Sequence, residues 1–260
     1  MRNMLRRMFS RKWLLTTILV IAAMAVMARL GIWQLDRLHQ RRAFNARVSA
    51  QIDRPPLELS GEVLTSDLPS MEYRQVTIVG EYDFEHEVAL RNQAMNSQWG
   101  VDLITPLNIA GTNQAVLVNR GWIPGNDFES GNWQKYAEPG QVEIHGIIRD
   151  SDTQPQIGRR NDVIPGPGDP PLRAWNLANV GGIARQIPYQ ILPVYVQQAP
   201  EPARTGLPQP SLPTLDLSEG PHLGYAMQWF AFAAVLGIGY PFYIRRQEAL
   251  PVKKQLVSQS

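Results

Sequence analysis

The sequence predicts two transmembrane helices that flank a β-rich extracytoplasmic domain, an α+β arrangement whose antiparallel sheet is open or barrel-like. Two apolar runs, 13–33 and 223–244, each have about the 20 residues needed to cross a bilayer. Between these runs, several short stretches alternate apolar and polar residues with a period of two, which is typical of half-buried strands. Residues 30–221 include 15 basic and 22 acidic residues, a formal net charge of −7 that separates this region from the basic ends.

The charge distribution also predicts the topology. The tail 1–12 has five basic residues and no acidic one, and the tail 245–260 has four basic residues against Glu248. Basic residues close to a span stay in the cytoplasm, so both termini are predicted to be cytoplasmic. Residues 34–221 then form the extracytoplasmic domain, and 13–33 and 222–244 are the spans. We therefore expect a multi-pass protein of the cell (inner) membrane.

Composition excludes several classes of function. The sequence pI of about 9.0 comes from the basic tails, so a nucleic-acid partner is not expected. The chain has no cysteine, which excludes disulfides and thiolate metal sites. The extramembrane domain must therefore be stabilised by its own core.

The first apolar run admits a second interpretation. A basic start before an apolar core, with Ala23-Met24-Ala25 resembling a cleavage site, is typical of a signal peptide. The run continues to Trp33, however, which makes it long enough to span. Trp13 and Trp33 also lie where interfacial tryptophans are expected, so an uncleaved anchor is favoured.

The domain begins with a helical pattern at 34–51 that continues the first span and ends before Pro55-Pro56. Predicted strands follow at 76–84, 87–91, 99–107, 114–123, 141–149 and 190–197. Their connections are mostly short, which predicts antiparallel pairing. We also predict a surface loop at 151–171, a short helix within 177–186 and an extended proline-rich tether at 200–221.

The sequence contains no recognisable catalytic motif, so no enzyme activity is predicted. Three histidines are interpreted as solvated side chains: His39, His86 and His145. The alternating acids Asp83, Glu85 and Glu87 are interpreted as a solvated strand face. Arg120, at the end of a strand and before Gly121, is interpreted as structural; the alternative is a fixed cation at a ligand or partner surface.

His222 stands at the start of the second span. It could be an ordinary interfacial polar residue, but neutral imidazole is also a good axial ligand for haem iron. Helical spacing places Tyr225, Trp229 and the small residues Ala226 and Ala233 on neighbouring faces. With Gly237, Ala233 forms a small-xxx-small pair that lets another helix approach.

Three motifs in order give the chain a resemblance to a known family. They are GIWQLDR at 31–37, LVNRGWIP at 117–124 and HLGYAMQWF at 222–230, with YRQV at 73–76 as further support. Together with the two spans, they resemble the surfeit-locus-one family of cytochrome c oxidase assembly factors. The loop 151–171 and the tether carry no motif of the family.

The resemblance implies a non-enzymatic chaperone of the respiratory chain that aids insertion of haem a into the catalytic subunit of cytochrome c oxidase. The implied partners are that subunit, haem a synthase and membrane lipid. In bacterial relatives the matching histidine is the proposed haem ligand, so His222 is the predicted axial ligand of transiently bound haem a. Tyr225 and Trp229 are expected to shape the slot, and Arg29 to pair with a propionate or with lipid phosphate.

Other functions stay open. The same motifs suit a scaffold that binds the oxidase subunit without haem, and an unrelated membrane-anchored binding domain is the third alternative. Copper delivery is disfavoured, because soft ligands are scarce: only Met71 and Met95 lie between the spans.

Overall fold

The computed structural model describes residues 6–154, 160–166, 168–202 and 205–257, with side chains through Gln247. Parts of both predicted tails, of the loop 151–171 and of the tether 200–221 lie outside the described residues. The chain divides into two compact units: Met1–Ala46 with Asp216–Ser260, and Arg47–Leu215. We call them the helical unit and the β unit.

Two long helices dominate the helical unit. Helix α1 covers Leu14–Ile52, and the C-terminal helix covers His222–Val257. Both are long and apolar enough to cross a membrane, and most of their apolar side chains are exposed. That exposure would be unfavourable in water and is expected in lipid, so the helices support membrane association. The uninterrupted course of α1 confirms that the pattern at 34–51 continues the first span.

The two long helices run antiparallel and pack directly on each other. A Cβ atom added to Gly31 would lie 2.7 Å from the ring of Phe230, and one added to Gly237 would lie 2.7 Å from the methyl carbon of Met24. Deeper along the pair, the hydroxyls of Thr17 and Tyr240 are 2.7 Å apart. Glycine thus permits the close approach that the small residues of the second span predict.

The β unit contains a closed five-stranded barrel within an eight-stranded sheet. In chain order the strands are β1 Leu57–Glu58, β2 Gln75–Tyr82, β3 Val88–Met95, β4 Gln98–Ile109, β5 Gln114–Pro124, β6 Gln141–Asp150, β7 Ala174–Trp175 and β8 Gln190–Gln198. The sheet order is β1-β2-β6-β8-β5-β4-β3-β7, and the additional pairing of β2 with β4 closes the barrel. The six predicted strands are confirmed, as is the barrel-like closure.

The predicted antiparallel pairing holds for five of the eight strand pairs but not for the other three. Strands β5 and β8 pair in parallel, as do the two short edge pairs β1 with β2 and β3 with β7. Parallel neighbours need a crossover connection, and the chain between β5 and β8 is long enough to provide one. The short connections from β3 to β4 and from β4 to β5 form hairpins, as predicted, whereas β2 and β3 are consecutive in the chain but do not pair with each other.

The barrel encloses the larger part of the core. Alternate residues of β2, β4, β6 and β8 point inward and form one apolar cluster, which includes Ile78, Leu107, Ile148 and Val194. A second cluster lies outside the barrel, where Trp175 and Ile183 pack against β3 and β5. This cluster includes a short helix, Val180–Ala184, which confirms the short helix predicted inside 177–186. Its Asn179 side chain caps the helix by accepting from the Gly182 N–H.

The predicted surface loop at 151–171 contributes more to the core than its composition suggested. In its described part, Ile164 packs against the second cluster. The Asp162 carboxylate accepts hydrogen bonds from the backbone N–H groups of Asn176 and Leu177. A carboxylate bound by several backbone donors fixes a loop without regular structure.

Candidate functional site

His222, the first residue of the C-terminal helix, faces α1 and is held there by Gln34. Its Nδ1 donates a hydrogen bond to Oε1 of Gln34, at 2.8 Å, and the imidazole is half-buried. With the proton on Nδ1, Nε2 carries the lone pair. This arrangement is the one in which histidine binds a metal, because a hydrogen bond at one ring nitrogen fixes the tautomer and orientation of the other.

Gly220 leaves space beside this imidazole. A Cβ atom added to Gly220 would lie 3.6 Å from Nε2 of His222 and 3.5 Å from Cδ2. Gly220 also has φ of 67°, in the left-handed region where a side chain is disfavoured. The Cβ atom of any other residue would therefore be in van der Waals contact with the nitrogen that carries the lone pair.

The segment before His222 is fixed to the end of α1. Arg42 makes a bidentate ion pair with Glu219, with both N···O distances 2.8 Å. Arg41 donates to the backbone carbonyls of Asp216 and Ser218. Each of these bonds is exposed and individually weak, but together they restrain the turn that carries Gly220 and His222.

The structure brings together only some of the predicted slot residues. Trp229 and Ala233 are partly buried on the face that His222 shares, and Ala226 is buried between the two helices. Tyr225 is exposed on the neighbouring face. Arg29 is also exposed, five residues before Gln34 on α1 and so about 7–8 Å from its level along the helix. His222, Trp229 and the small residues thus share a helix face, whereas Tyr225 and Arg29 border it.

The donor that this site offers is a single oriented imidazole. Among the described residues, no three His, Cys, Asp or Glu side chains cluster as a metal site would require. Haem iron needs only one protein ligand, since the macrocycle supplies four nitrogens. An oriented imidazole beside apolar helix surfaces and a missing Cβ meets that requirement.

Sequence reasoning missed the role of Gln34. The motif at 31–37 contains it, but without a partner a glutamine at a span end has no evident task. The partner is 188 residues away in sequence. Only the antiparallel pairing of the two helices brings the side chains together.

Arg120 lies at the centre of a buried ion network in the β unit. Leu103 pairs with Gly121 and the next β4 residue, Ile104, with Asn119, so Arg120 is the extra residue of a β-bulge. Its side chain is 0% exposed, and its Nη1 donates to Glu87 at 2.9 Å. Its Nη2 donates to Glu138 at 2.7 Å. The structural interpretation of Arg120 fits this position better than a cation at an accessible surface.

Two of the predictions for the neighbouring polar residues are wrong. Glu87 is buried instead of lying on a solvated strand face, and it also accepts from the Thr105 hydroxyl. Burial raises the pKa of Glu87 above its ordinary value, against the hydrogen bond from Thr105 and the charge of Arg120. His86 is only a quarter exposed and donates from Nδ1 to Asp83, at 2.6 Å. Alternation alone could not reveal that the chain turns inward at 83–87.

Asp83, His86 and Tyr189 form a second polar cluster, beside a cavity of 570 Å³. The Tyr189 hydroxyl donates to the same Asp83 oxygen that His86 binds. Burial opposes ionisation of Asp83, but the hydrogen bonds from Tyr189 and His86 lower its pKa below the ordinary value. Burial and the bond to Asp83 raise the pKa of Tyr189. The exposed Glu143-His145 face of β6, by contrast, confirms the solvated position predicted for His145.

Gly121 explains the rest of the motif at 117–124. Its φ is 111°, and the backbone of Gln209 lies against its Cα where a side chain would clash. Trp122 and Gln209 exchange two backbone hydrogen bonds, both 2.9 Å. Within the predicted tether, Gln209 is therefore paired to the end of β5, and the chain bends just before it at 206–208.

Comparison with known proteins identifies the family. The family model described as the SURF1 family matches residues 21–234, which include all three motifs. The SURF1-like protein of Caenorhabditis elegans is 24% identical over 245 residues, covering 87% of this chain and 73% of that protein. The SURF1-like protein of Monosiga brevicollis is 24% identical, over 79% of this chain and 78% of the relative. Surfeit locus protein 1 of Homo sapiens is 23% identical, over 79% of this chain and 69% of the relative. The chain belongs to the SURF1 family.

Proposed function

We propose that this chain is a cytochrome c oxidase assembly factor that holds haem a at His222 and aids its insertion into the catalytic subunit of the oxidase. The observation that carries the proposal is the His222–Gln34 hydrogen bond, which leaves Nε2 as a lone-pair donor beside Gly220. Family membership supports the oxidase as the target.

In this proposal each residue has a separate task. His222 supplies the axial nitrogen, and Gln34 fixes its tautomer and orientation. Gly220 keeps the approach to Nε2 free of a side chain. When bound, haem a would supply an iron that accepts the imidazole lone pair, and it carries a long apolar tail. The exposed apolar surfaces of the two helices keep such a tail in lipid.

The topology belongs to the same proposal. Both termini are cytoplasmic, and the β unit lies on the extracytoplasmic side of the membrane. His222 then lies at the level of the outer lipid headgroups. Arg29 is exposed on α1, so it reaches toward lipid phosphate or a haem propionate. Haem a synthase is then the source of the cargo and the catalytic subunit its acceptor. No chemical step is assigned to the chain itself.

The test is a visible spectrum of the protein purified from cells that make haem a. We expect haem to copurify with the wild-type chain and to be lost in His222→Ala, while membrane insertion is unchanged. His145→Ala is the matched control, because His145 is exposed on β6 and should not affect haem content. Full haem content in His222→Ala would contradict the ligand assignment and favour a scaffold that binds the subunit without haem.

A further inference from the structure

A second apolar site lies deeper along the helix pair than His222. It is an open groove of 370 Å³ on the surface of the helix pair, formed by Met27 of α1 and by residues of the C-terminal helix. Phe232 and Tyr243 stand at either end of its lining, and Leu236 and Gly239 lie between them. Its lining is almost wholly apolar.

Two features keep this groove open and apolar. The Tyr240 hydroxyl is turned into the helix pair, where it bonds Thr17, so Tyr240 presents only its ring to the groove. Gly239 has no atom within 4 Å of where its Cβ would stand. A Cβ atom at position 239 would therefore displace no neighbour, and a longer side chain there would take up space in the groove that Gly239 lines.

The groove is continuous with the face that carries His222. Trp229 is one turn from Ala226 on that face, and its ring meets the ring of Phe232 edge-on, with centroids 6.2 Å apart. Phe232 in turn lines the groove. It lies ten residues beyond His222, about 15 Å along the helix axis. The Trp229 and Phe232 rings thus connect the helix face of His222 to the groove.

We propose that this groove binds the isoprenoid tail of haem a and lets the protein select haems that carry a tail. The inference rests on the proposed function, since it requires the iron to be held at His222. An isoprenoid tail is longer than the macrocycle is wide, so the ring and tail together cover the distance from His222 to Phe232 and beyond. No polar partner is needed along that course.

In the bilayer, lipid acyl chains compete with the isoprenoid tail for the groove. An acyl chain is as apolar as an isoprenoid, so no hydrophobic driving force separates them within the bilayer. A tail attached to a ring that His222 holds has a high effective concentration at the groove, whereas each lipid arrives independently. The preference then comes from van der Waals packing against Phe232, Leu236 and the ring of Tyr240.

The experiment compares haem b, which has no tail, with haem o, which has the tail but no formyl group. The full-length protein is placed in phosphatidylcholine nanodiscs, and binding is read from the visible spectrum, with partition into empty nanodiscs subtracted. We expect wild type to bind haem o about tenfold more tightly than haem b. Gly239→Leu should reduce haem o binding to the level of haem b and leave haem b binding unchanged. Ala234→Leu, on an exposed face outside the groove, is the matched control and should keep the preference.

The outcomes distinguish failure of the tail site from failure of the proposed haem site at His222. Equal binding of the two haems by wild type, or a preference that survives in Gly239→Leu, would overturn the tail site while leaving His222 as a ligand. If wild type binds neither haem, or if His222→Ala binds haem b as wild type does, the proposed haem site fails and the tail site with it. Loss of haem b binding in Gly239→Leu would show a general disturbance of the helix pair and would also contradict the inference.

Discussion

Nδ1 of His222 lies 2.8 Å from Oε1 of Gln34, so the first and last parts of the chain together build one oriented imidazole. Neither residue is buried deeply enough to be required for the core. The bond therefore serves the imidazole rather than the stability of the fold, which makes it separable by mutation.

Replacing Gln34 should weaken haem binding without removing the ligand. In Gln34→Leu the Nδ1 proton loses its acceptor, and loss of such an outer partner typically costs about 10- to 100-fold in metal affinity. Gln34→Glu keeps an acceptor oxygen and should retain binding. Titration with haem b in nanodiscs measures both. Gln40→Leu, an exposed change on the same helix, serves as the control, and equal affinity in Gln34→Leu and Gln40→Leu would contradict the role of Gln34.

Arg120 should be the most sensitive charged residue of the β unit. Arg120→Met leaves Glu87 buried without its cation, and breaking a buried ion pair in this way costs about 3–5 kcal/mol. The double variant Arg120→Met with Glu87→Gln should recover part of the loss, because the uncompensated charge is gone. Urea unfolding followed by tryptophan fluorescence measures the free energy. Arg91→Met, at an exposed position of β3, should change it by no more than about 0.5 kcal/mol.

Asp83 should make the stability of the β unit depend on pH at the acidic end. Hydrogen bonds from Tyr189 and His86 lower its pKa in the folded protein despite the opposing effect of burial. The stability it contributes is therefore present above the carboxyl's unfolded pKa and is lost as pH falls through the lowered folded pKa. In Asp83→Asn, the thermal midpoint should change less with pH below about pH 4 than it does in wild type. Glu85→Gln, which alters an exposed neighbour, should not, and an identical acid profile in wild type and Asp83→Asn would refute the assignment.

The sequence predicted what local patterns determine and missed what distant contacts determine. The six strands follow from alternation, and the long helices follow from the apolar runs. The parallel pairing of β5 with β8 depends on how the chain returns after the region 151–189, which no local pattern encodes. For the same reason, the burial of Glu87 was not predicted: its cation, Arg120, is 33 residues away and turns inward only because of the bulge.

The candidate site shows the same division. A histidine at the edge of a span is visible in the sequence, and helical spacing correctly placed Trp229 and Ala233 near its face. The orientation of that histidine is not visible, because Gln34 belongs to the other helix. Gly220 could have been suspected as a turn residue, but its position beside Nε2 follows only from the fold of the turn.

Contact between the two long helices should depend on Gly31. In Gly31→Val, the Cβ atom alone would lie 2.7 Å from the Phe230 ring, and the rest of the side chain would overlap it. Either the Phe230 ring must leave this contact or the helices must move apart, so we expect a lower thermal midpoint for the helical signal and loss of haem binding. Phe230→Ala should restore both in the double variant, since it removes the ring that clashes. Gly224→Val, where a Cβ meets nothing within 4 Å, is the control. A double variant no better than Gly31→Val would show that this contact does not set the spacing.

The topology can be tested with reporters because the two ends of the chain share one charge sign and the domain has the other. Basic residues adjacent to spans are retained in the cytoplasm, so a reporter that works only there should be silent when fused after Pro208 and active when fused after Ser260. A fusion after Pro208 keeps all eight strands of the β unit, the last of which ends at Gln198, so the reporter lies on the same side of the membrane as that unit. A cytoplasmic signal after Pro208 would mean that both spans have the opposite orientation and that His222 lies at the inner surface.

N-terminal sequencing of the purified protein completes the test: a start after Ala25 or Ala28 would mean that the first apolar run is cleaved. In that case α1 could not pair with Tyr240 through Thr17, and the helix pair that orients His222 would lack its cytoplasmic half.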